Sequence, residues 1–240
     1  MAPTDPAPSH IVLEAVTSST IEEWIDINNH TFSQIPSGCS SGFLNVFYPK
    51  GVTPEIAAWN RETHVKAIES GDTFYFIVRD VSSPSKPAIG AARWQLVTKA
   101  KSAVEMETDE AQASKDRAAD RPVDNVRYDR FEEFRVAQYK SKKEHLAGRP
   151  YLYLKSIATH PDHQRKGAGK VMMRWGLRKA DDLGVPAYLE ASEAGRRLYE
   201  QSGFEAKGYL DWDAKKFDGI NDSFLNLAML REPGTGEVEY

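Results

Sequence analysis

The segment from residue 151 to residue 184 constrains the fold of this chain more than any other. Residues 151–159 form a largely apolar run, which predicts a buried strand. A polar, basic loop follows, and residues 167–183 then carry apolar side chains at helical spacing before Gly184, a typical helix end. Strand, short loop and helix in this order predict a unit of an α/β fold.

The loop between the predicted strand and helix has the features of an anion site. It contains basic side chains and two glycines, Gly167 and Gly169, which let another molecule approach the backbone closely. The first N–H groups of a helix lack intrahelical acceptors and lie at the positive end of its dipole. The loop therefore predicts a phosphate site. The alternative is a tight turn in which the glycines serve geometry alone.

Two better-known phosphate loops are excluded by single residues. A P-loop requires Gly-x-x-x-x-Gly-Lys followed by Ser or Thr, but Val171 follows Lys170 and position 164 is Gln. A dinucleotide fingerprint requires a third glycine at position 172, where Met172 stands. The loop is therefore of another class.

The rest of the chain also alternates between strand and helix patterns. Helices are predicted at residues 18–29, 53–70 and 192–202, and residues 31–52 form an irregular, aromatic segment that is either a pocket wall or a packed loop. Strands are predicted at residues 11–16, 73–79, 88–97, 185–191, 204–209 and 224–230. The second and third of these read as a hairpin, and the last two as antiparallel neighbours.

Residues 99–148 differ from their surroundings in being rich in charged side chains and alanine. We interpret them as an insertion, with a solvated stretch at 100–122 and an amphipathic helix at 125–145 that packs back on the domain. The insertion is either a surface embellishment or a lid over a substrate. Residues 1–9 are proline-rich and predict a flexible tail, which leaves 10–240 as a single domain.

Composition excludes several function classes. The net charge is -4, whereas nucleic-acid binders usually carry a basic surplus. The N-terminal residues do not resemble a secretory signal, and no apolar run approaches the roughly 20 residues of a membrane-spanning helix. Cys39 is the single cysteine, so neither a disulfide nor a structural metal site is expected. These features predict a cytoplasmic protein without a metal, nucleic-acid or membrane partner.

Two motifs carry a family resemblance. Gln164, Gly167 and Gly169 match the pattern Gln/Arg-x-x-Gly-x-Gly/Ala. Residues 192–204 match Asn-x-x-Ala-x-x-Leu-Tyr-x-x-x-Gly-Phe, with Ser192 in place of Asn and Gly195 in place of Ala. With both motifs in order, the chain resembles the GNAT superfamily of acyl-CoA N-acyltransferases.

The resemblance implies a fold and a co-substrate. The fold would be α/β, with a mixed, mostly antiparallel central sheet of six to seven strands flanked by helices. The charged helical insertion that we predict before the cofactor-binding strand has no counterpart in the family. Acetyl-CoA would be the co-substrate, its pantetheine arm paired with a splayed strand and its pyrophosphate held by loop N–H groups. The implied coenzyme-binding residues are Ile157, Ala158, Thr159, Gln164, Arg165, Lys166, Gly167, Ala168, Gly169, Lys170 and Ser192.

The resemblance also implies catalytic roles. Tyr199 occupies the position of the family's general acid, where a phenol would protonate the leaving thiolate. Tyr153 and Lys155 occupy positions where relatives often carry the base, and neither is a ready base at neutral pH. Glu190 is the preferred candidate to bind the acceptor's ammonium group or take its proton. The histidines that flank the loop, at positions 160 and 163, are weaker candidates.

Three functions follow as hypotheses. The first is acetyl transfer from acetyl-CoA to a primary amine of a small molecule, by direct attack in a ternary complex. The second is acetylation of a protein lysine or N-terminus. The third is an acyl-CoA-binding module without turnover. The expected partners are acetyl-CoA and an amine acceptor, and the protein is expected to be a monomer or a homodimer.

Overall fold

A computed structural model describes residues 10–34, 43–119, 124–216 and 226–234. Within these ranges the chain forms seven strands: β1 (Ile11–Ala15), β2 (Thr73–Asp80), β3 (Ala88–Val97), β4 (Tyr151–Thr159), β5 (Ala187–Ala191), β6 (Glu205–Tyr209) and β7 (Leu227–Arg231). The α-helices there are α1 (Ile21–Phe32), α2 (Phe43–Phe47), α3 (Pro54–Glu69), α4 (Ala103–Ala119), α5 (Tyr128–Leu146), α6 (Ala168–Leu183) and α7 (Glu193–Gln201). The predicted tail at 1–9 and Cys39 lie outside the described residues. The division into tail, insertion and single domain stays a prediction.

All seven strands belong to one sheet, in the order β1-β2-β3-β4-β5-β7-β6. Only β4 and β5 are parallel, and every other neighbouring pair is antiparallel. Parallel pairing requires a crossover, which the loop at 160–167 and α6 provide. The predicted fold class, the β2–β3 hairpin and the β6–β7 pairing are confirmed.

Helices cover both faces of the sheet. Because side chains alternate along a strand, Leu152 and Leu154 point to one face, where they pack with Met172 of α6. Tyr153 points to the other face, where it packs in the aromatic cluster that includes Phe47 of α2 and the partly buried Phe131 of α5. We call these the α6 face and the α5 face. Helices α1 and α3 also cover the α5 face, beside β1, β2 and β3.

The aromatic segment predicted to be irregular contains a short helix. Phe43–Phe47 forms α2, whose rings pack under α5: Phe47 stacks on Phe131 with centroids 4.1 Å apart. Residues 35–42 of that segment lie outside the described residues. The aromatic packing therefore orders the segment as helix, because burying large rings outweighs the weak intrinsic preference of five residues.

The stretch predicted to be merely solvated, residues 100–122, is helical over Ala103–Ala119. Ser102 and Glu105 form a capping box: the Ser102 N–H donates to Glu105 Oε2 at 2.8 Å, and the Glu105 N–H donates to Ser102 Oγ at 3.3 Å. Lys143 of α5 pairs with Glu107. Caps and ion pairs thus support a helix that has almost no apolar face. The helix predicted at 125–145 is present as α5.

Two further observations complete the fold. Arg231 of β7 is fully buried and donates to both carboxylate oxygens of Asp181 in α6, at 2.7 and 3.0 Å.

Across 10–34, 43–119, 124–216 and 226–234, no helix has the length and apolarity to cross a bilayer.

Candidate functional site

The two parallel strands separate after three paired residues. β4 pairs with β5 from Leu152 to Leu154, and β4 then continues to Thr159 without a β5 partner. A bulge at Lys155 accompanies the separation, because the register with β3 moves from Leu154 opposite Trp94 to Ser156 opposite Arg93. The splayed strand predicted from the resemblance is therefore present, and it leaves a wedge beside Ile157 and Ala158.

The loop at the wide end of this wedge offers unpaired amides. Arg165 (φ 64°) and Gly167 (φ 93°) both adopt left-handed conformations, and α6 begins at Ala168. Among the described residues, the N–H groups from Arg165 to Lys170 have no backbone acceptor. Successive free N–H groups at a helix start are suited to holding an anion, and the phosphate site stays a prediction.

The residues of the loop divide into two roles. The side chain of Ala168 is buried, and Gly169 lies so close to α7 that a Cβ there would be 2.9 Å from Leu198 Cδ2. These two residues pack α6 against the core and offer only backbone atoms to a ligand. The side chains that remain exposed at the mouth belong to Gln164, Arg165, Lys166 and Lys170.

Tyr199 lies on the α6 face, in the same cluster as Leu154 and Leu189 at the closed end of the wedge. Its hydroxyl forms no hydrogen bond with the described part of the chain, and burial raises its pKa, so the phenol stays protonated at neutral pH. Gly195 lies directly against the ring, since a Cβ there would be 2.7 Å from Tyr199 Cε2. The departure from the family's Ala therefore has a local packing reason.

Glu190 lies on the opposite, α5 face. Its Oε2 accepts from the Tyr153 hydroxyl at 2.5 Å and from Gln138 Nε2 at 3.4 Å, and Gln138 also donates to the Tyr153 hydroxyl at 3.1 Å. Burial raises the pKa of Glu190, while the charge of Lys142 and these hydrogen bonds oppose the increase. A carboxyl group with a raised pKa is suited to proton transfer near neutral pH.

The wedge therefore separates the two predicted catalytic groups. Glu190 and Lys155 are the first residues of their strands beyond the last parallel pair, on the α5 face, and Tyr199 packs on the α6 face. Ser192 caps α7 at the end of β5; it is exposed and makes no side-chain capping bond. His160, one of the weaker candidates, lies at the start of the loop, where its ring stacks on that of His30 with centroids 4.7 Å apart.

The pKa of Lys155 differs from what its residue type suggested. Although its side chain reaches solvent in the wedge, burial and the charges of Arg93, Lys142 and Arg135 lower its pKa to about 7. A lysine with such a pKa is partly neutral at physiological pH and is therefore a second candidate base beside Glu190. Only the tertiary structure reveals this, because the charges come from β3 and α5.

Sequence reasoning missed three other polar residues of the site: Gln138 and Lys142 beside Glu190, and Arg93 near Lys155. Gln138 and Lys142 are four residues apart on one face of α5, within the segment interpreted as an insertion. Arg93 interrupts the small, apolar run of β3, and a charge inside such a strand is a signal that could have been used. The contributions of these residues could not be placed without knowing that α5 covers β4 and β5.

The fold and the site together define a class of protein. Residues 128–204, from α5 through α7, match the profile of the Acetyltransferase (GNAT) family. The resemblance seen in the two motifs is confirmed for this part of the chain, which is similar to GNAT acetyltransferase domains. Family members use acetyl-CoA, which fits the free amides and the splayed strand.

The individual relatives either match only a short part of this chain or share little sequence with it. A probable acyltransferase, SID5 of Ajellomyces capsulatus, is 40% identical over 42 residues, a match that spans 18% of this chain and 31% of that protein. A mosquito arylalkylamine N-acetyltransferase like 5b has a TM-score of 0.66 at 14% identity, over 92% of this chain and 99% of that one. A Drosophila melanogaster polyamine N-acetyltransferase has a TM-score of 0.59 at 14% identity, over 92% and 97%. These structures share the fold.

Proposed function

We propose that this protein transfers an acetyl group from acetyl-CoA to a primary amine of a small molecule, by direct attack in a ternary complex. The observation that carries the proposal is the wedge between β4 and β5. It has free amides at its open end and the ionisable groups Lys155 and Glu190 on the α5 face at its closed end, while Tyr199 packs on the α6 face. These are the parts that an acyl transfer to an amine requires.

The donor would bind along the open edge of β4. The N–H groups from Arg165 to Lys170 would hold the pyrophosphate, with Arg165 and Lys166 adding positive charge. The backbone of Ile157, Ala158 and Thr159 would pair with the pantetheine arm, as an added strand does. Acetyl-CoA supplies an activated thioester, and this placement would bring it to Lys155 and Glu190.

The protein's contribution to the chemistry would be two proton transfers. Glu190, on the α5 face, would take a proton from the acceptor's nitrogen as the C–N bond forms. Tyr199, on the α6 face, would give its hydroxyl proton to the sulfur as the C–S bond breaks. Since the two groups lie on opposite faces, each would serve one side of the carbonyl without competing for the same proton.

Helix α5 favours a small acceptor over a peptide. Gln138 and Lys142 reach from α5 to Tyr153 and Glu190, so the helix covers the acceptor side of the wedge. A peptide would require an open groove across this face. We therefore propose that α5 acts as a wall of the acceptor site, one of the two roles the sequence left open.

A thiol-release assay with acetyl-CoA tests the proposal. Small primary amines should release free thiol faster than peptides with a free N-terminus or a lysine. Faster turnover of peptides would support the protein acetyltransferase hypothesis. Tight acetyl-CoA binding without thiol release for any acceptor would support a module without turnover. A cytoplasmic location and a monomeric or homodimeric state stay predictions, which fractionation and sedimentation would check.

A further inference from the structure

Three cations converge on the α5 face at the closed end of the wedge. Lys142 Nζ lies 4.5 Å from the ring centroid of Tyr153, and Lys155 Nζ lies 5.9 Å from the same centroid and 3.1 Å from Gln95 Oε1. Arg93 lies beside Ser156 in the register of β3 and β4. Within the described ranges, none of the three has a carboxylate within 4 Å. We call Arg93, Lys142 and Lys155 the cationic cluster.

Arg93 is surrounded by neutral groups. Its Nη1 lies 3.3 Å from His64 Nδ1 and 3.4 Å from the Tyr75 hydroxyl, and its guanidinium packs near the ring of Trp24. Burial, followed by the charges of Arg93 and Lys155, lowers the pKa of His64 to about 3, so this histidine is neutral. The Nε of Arg93 is buried and has no hydrogen-bond partner in the described part of the protein.

Nearby carboxylates balance the cluster only in part, since Glu190 attracts Lys142 and Asp72 attracts Lys155. Asp72 accepts from Ser70, Thr73 and Gln95. Glu190 accepts from Tyr153 and Gln138. More distant charges from the helices have both signs, since Arg135 adds to the positive field and Glu110 opposes it. Three cations thus face two carboxylates, which leaves the cluster with one positive charge in excess.

Uncompensated cations in a half-buried cleft repel one another and attract an anion. The depressed pKa of Lys155 reports this repulsion, because burial and the charge of Arg93 both disfavour its protonated form. A polyamine or a simple arylalkylamine would add another positive charge to this field. An anionic group would relieve the repulsion and restore charge to Lys155.

We propose that the acceptor carries a carboxylate near its amine, as an amino acid does, and that Lys155 and Arg93 bind this carboxylate. The proposal rests on the proposed function and names its substrate class. The acceptor's amine would face Glu190, on the neighbouring strand, while its carboxylate would face the cationic cluster. Charge would then be complementary along the whole acceptor.

Acceptor pairs that differ only in the carboxylate test the proposal. Arginine and agmatine, tyrosine and tyramine, and ornithine and putrescine would be compared for kcat/KM in thiol release from acetyl-CoA. We expect the carboxylate-bearing member to be preferred by on the order of 10- to 100-fold, the effect of one charged hydrogen bond. Equal rates or a preference for the decarboxylated members would overturn the proposal. So would selective use of a dicarboxylic acyl donor with the decarboxylated amines, which would place the carboxylate on the donor.

Variants separate binding of the carboxylate from general damage. Arg93→Met should lower kcat/KM for the amino acids and leave that for the decarboxylated amines within a few-fold. Arg93→Lys should retain part of the preference, because it keeps the charge. Lys115→Met, an exposed lysine of α4, is the matched control and should change neither rate. Equal losses for both members of a pair would contradict the proposal.

Calorimetry gives a readout that does not depend on turnover. With coenzyme A present, titration of each pair should show binding of the amino acid that is lost in Lys155→Met. If thiol release fails for every amine but this selective binding persists, the proposed function falls and the carboxylate site stands. If thiol is released without selectivity, the proposed function stands and the carboxylate site falls.

Discussion

The Tyr153 hydroxyl donates a hydrogen bond to Glu190 Oε2 at 2.5 Å, across the last residues that hold β4 and β5 together. The bond links two neighbouring parallel strands at the point where they begin to separate. It also couples a candidate base to a group that stabilises its charged form. The properties of Glu190 are therefore set jointly by burial and by Tyr153.

Glu190→Gln tests the base. A base works in its ionised form, so kcat/KM should fall as the pH drops below the pKa of Glu190. Because burial raises that pKa, the fall should begin at a higher pH than an ordinary carboxylate would give. This fall at low pH is the acidic limb of the pH profile, and the variant should lack it. Its kcat/KM should also be roughly 10²- to 10⁴-fold lower. A retained limb with a normal rate would assign the proton transfer elsewhere, with Lys155 as the next candidate.

Tyr153→Phe should move the same limb in a known direction. The hydrogen bond from Tyr153 favours the carboxylate and lowers the pKa of Glu190, so removing the hydroxyl should raise that pKa. The acidic limb of log kcat/KM should therefore shift to higher pH. Tyr151→Phe is the control, because its hydroxyl makes no hydrogen bond to Glu190 among the described residues. An equal shift in both variants would mean that the bond does not set the limb.

Tyr199→Phe tests the acid. The hydroxyl has no hydrogen-bond partner in the described structure, so its loss should hardly alter the free energy of unfolding. We expect kcat to fall roughly 10²- to 10⁴-fold while the affinity for coenzyme A stays within a few-fold. The exposed Tyr209 provides a matched Tyr→Phe control that should keep full kcat. An unchanged kcat in Tyr199→Phe would remove this residue from the mechanism.

Gly167→Ala tests the anion loop. Gly167, at the start of α6, and Gly184, at its end, have φ values of 93° and 64°. An alanine at either site should cost about 1–2 kcal/mol of stability, since L residues are disfavoured in the left-handed region. Only Gly167→Ala disturbs the free N–H groups, so it alone should weaken coenzyme A binding, by roughly 10- to 100-fold. Calorimetry and urea unfolding of both variants would check this, and equal affinities would argue against the loop as the pyrophosphate site.

Asp181→Asn tests the buried ion pair that joins α6 to β7. Burial works to raise the pKa of Asp181, but hydrogen bonds from Arg231 and the Gly234 N–H outweigh it and hold the pKa below its ordinary value. A lowered pKa means that the pair stabilises the protein above about pH 4 and that this stability is lost as the pH falls through the folded-state pKa.

Removing the charge of Asp181 leaves Arg231 buried without a counter-ion and should cost about 3–5 kcal/mol of unfolding free energy near pH 7. Urea denaturation would measure it. The exposed pair of Asp211 with Lys140 is the control, and Asp211→Asn should have little effect. If the Asp181 variant lost no more than the control, the pair would not hold α6 in place.

Several features were predictable from local sequence. The loop amides follow from a strand, two glycines and a helix within twenty residues, and the hairpin of β2 and β3 follows from two apolar runs around a turn. The α4 helix was not predicted, because the segment lacks an apolar face. Ser102 and Glu105 nevertheless form a capping box. The capping residues thus indicated a helix start even where no amphipathic pattern was present.

The sequence by itself determined the α/β class, the glycine-containing turn into α6 and the place of Tyr199 on α7, because each depends on residues close together in the chain. The environment of Glu190 was decided only by the tertiary structure. Gln138 and Lys142 come from α5 and Tyr153 from β4, and packing of α5 over the parted strands brings them to the Glu190 carboxylate. Arg93 of β3 and Lys142 of α5 likewise lower the pKa of Lys155. Protonation depends on burial and on nearby charges, both of which arise between distant segments, so residue type and spacing could not reveal a lysine with a lowered pKa or a carboxyl with a raised one.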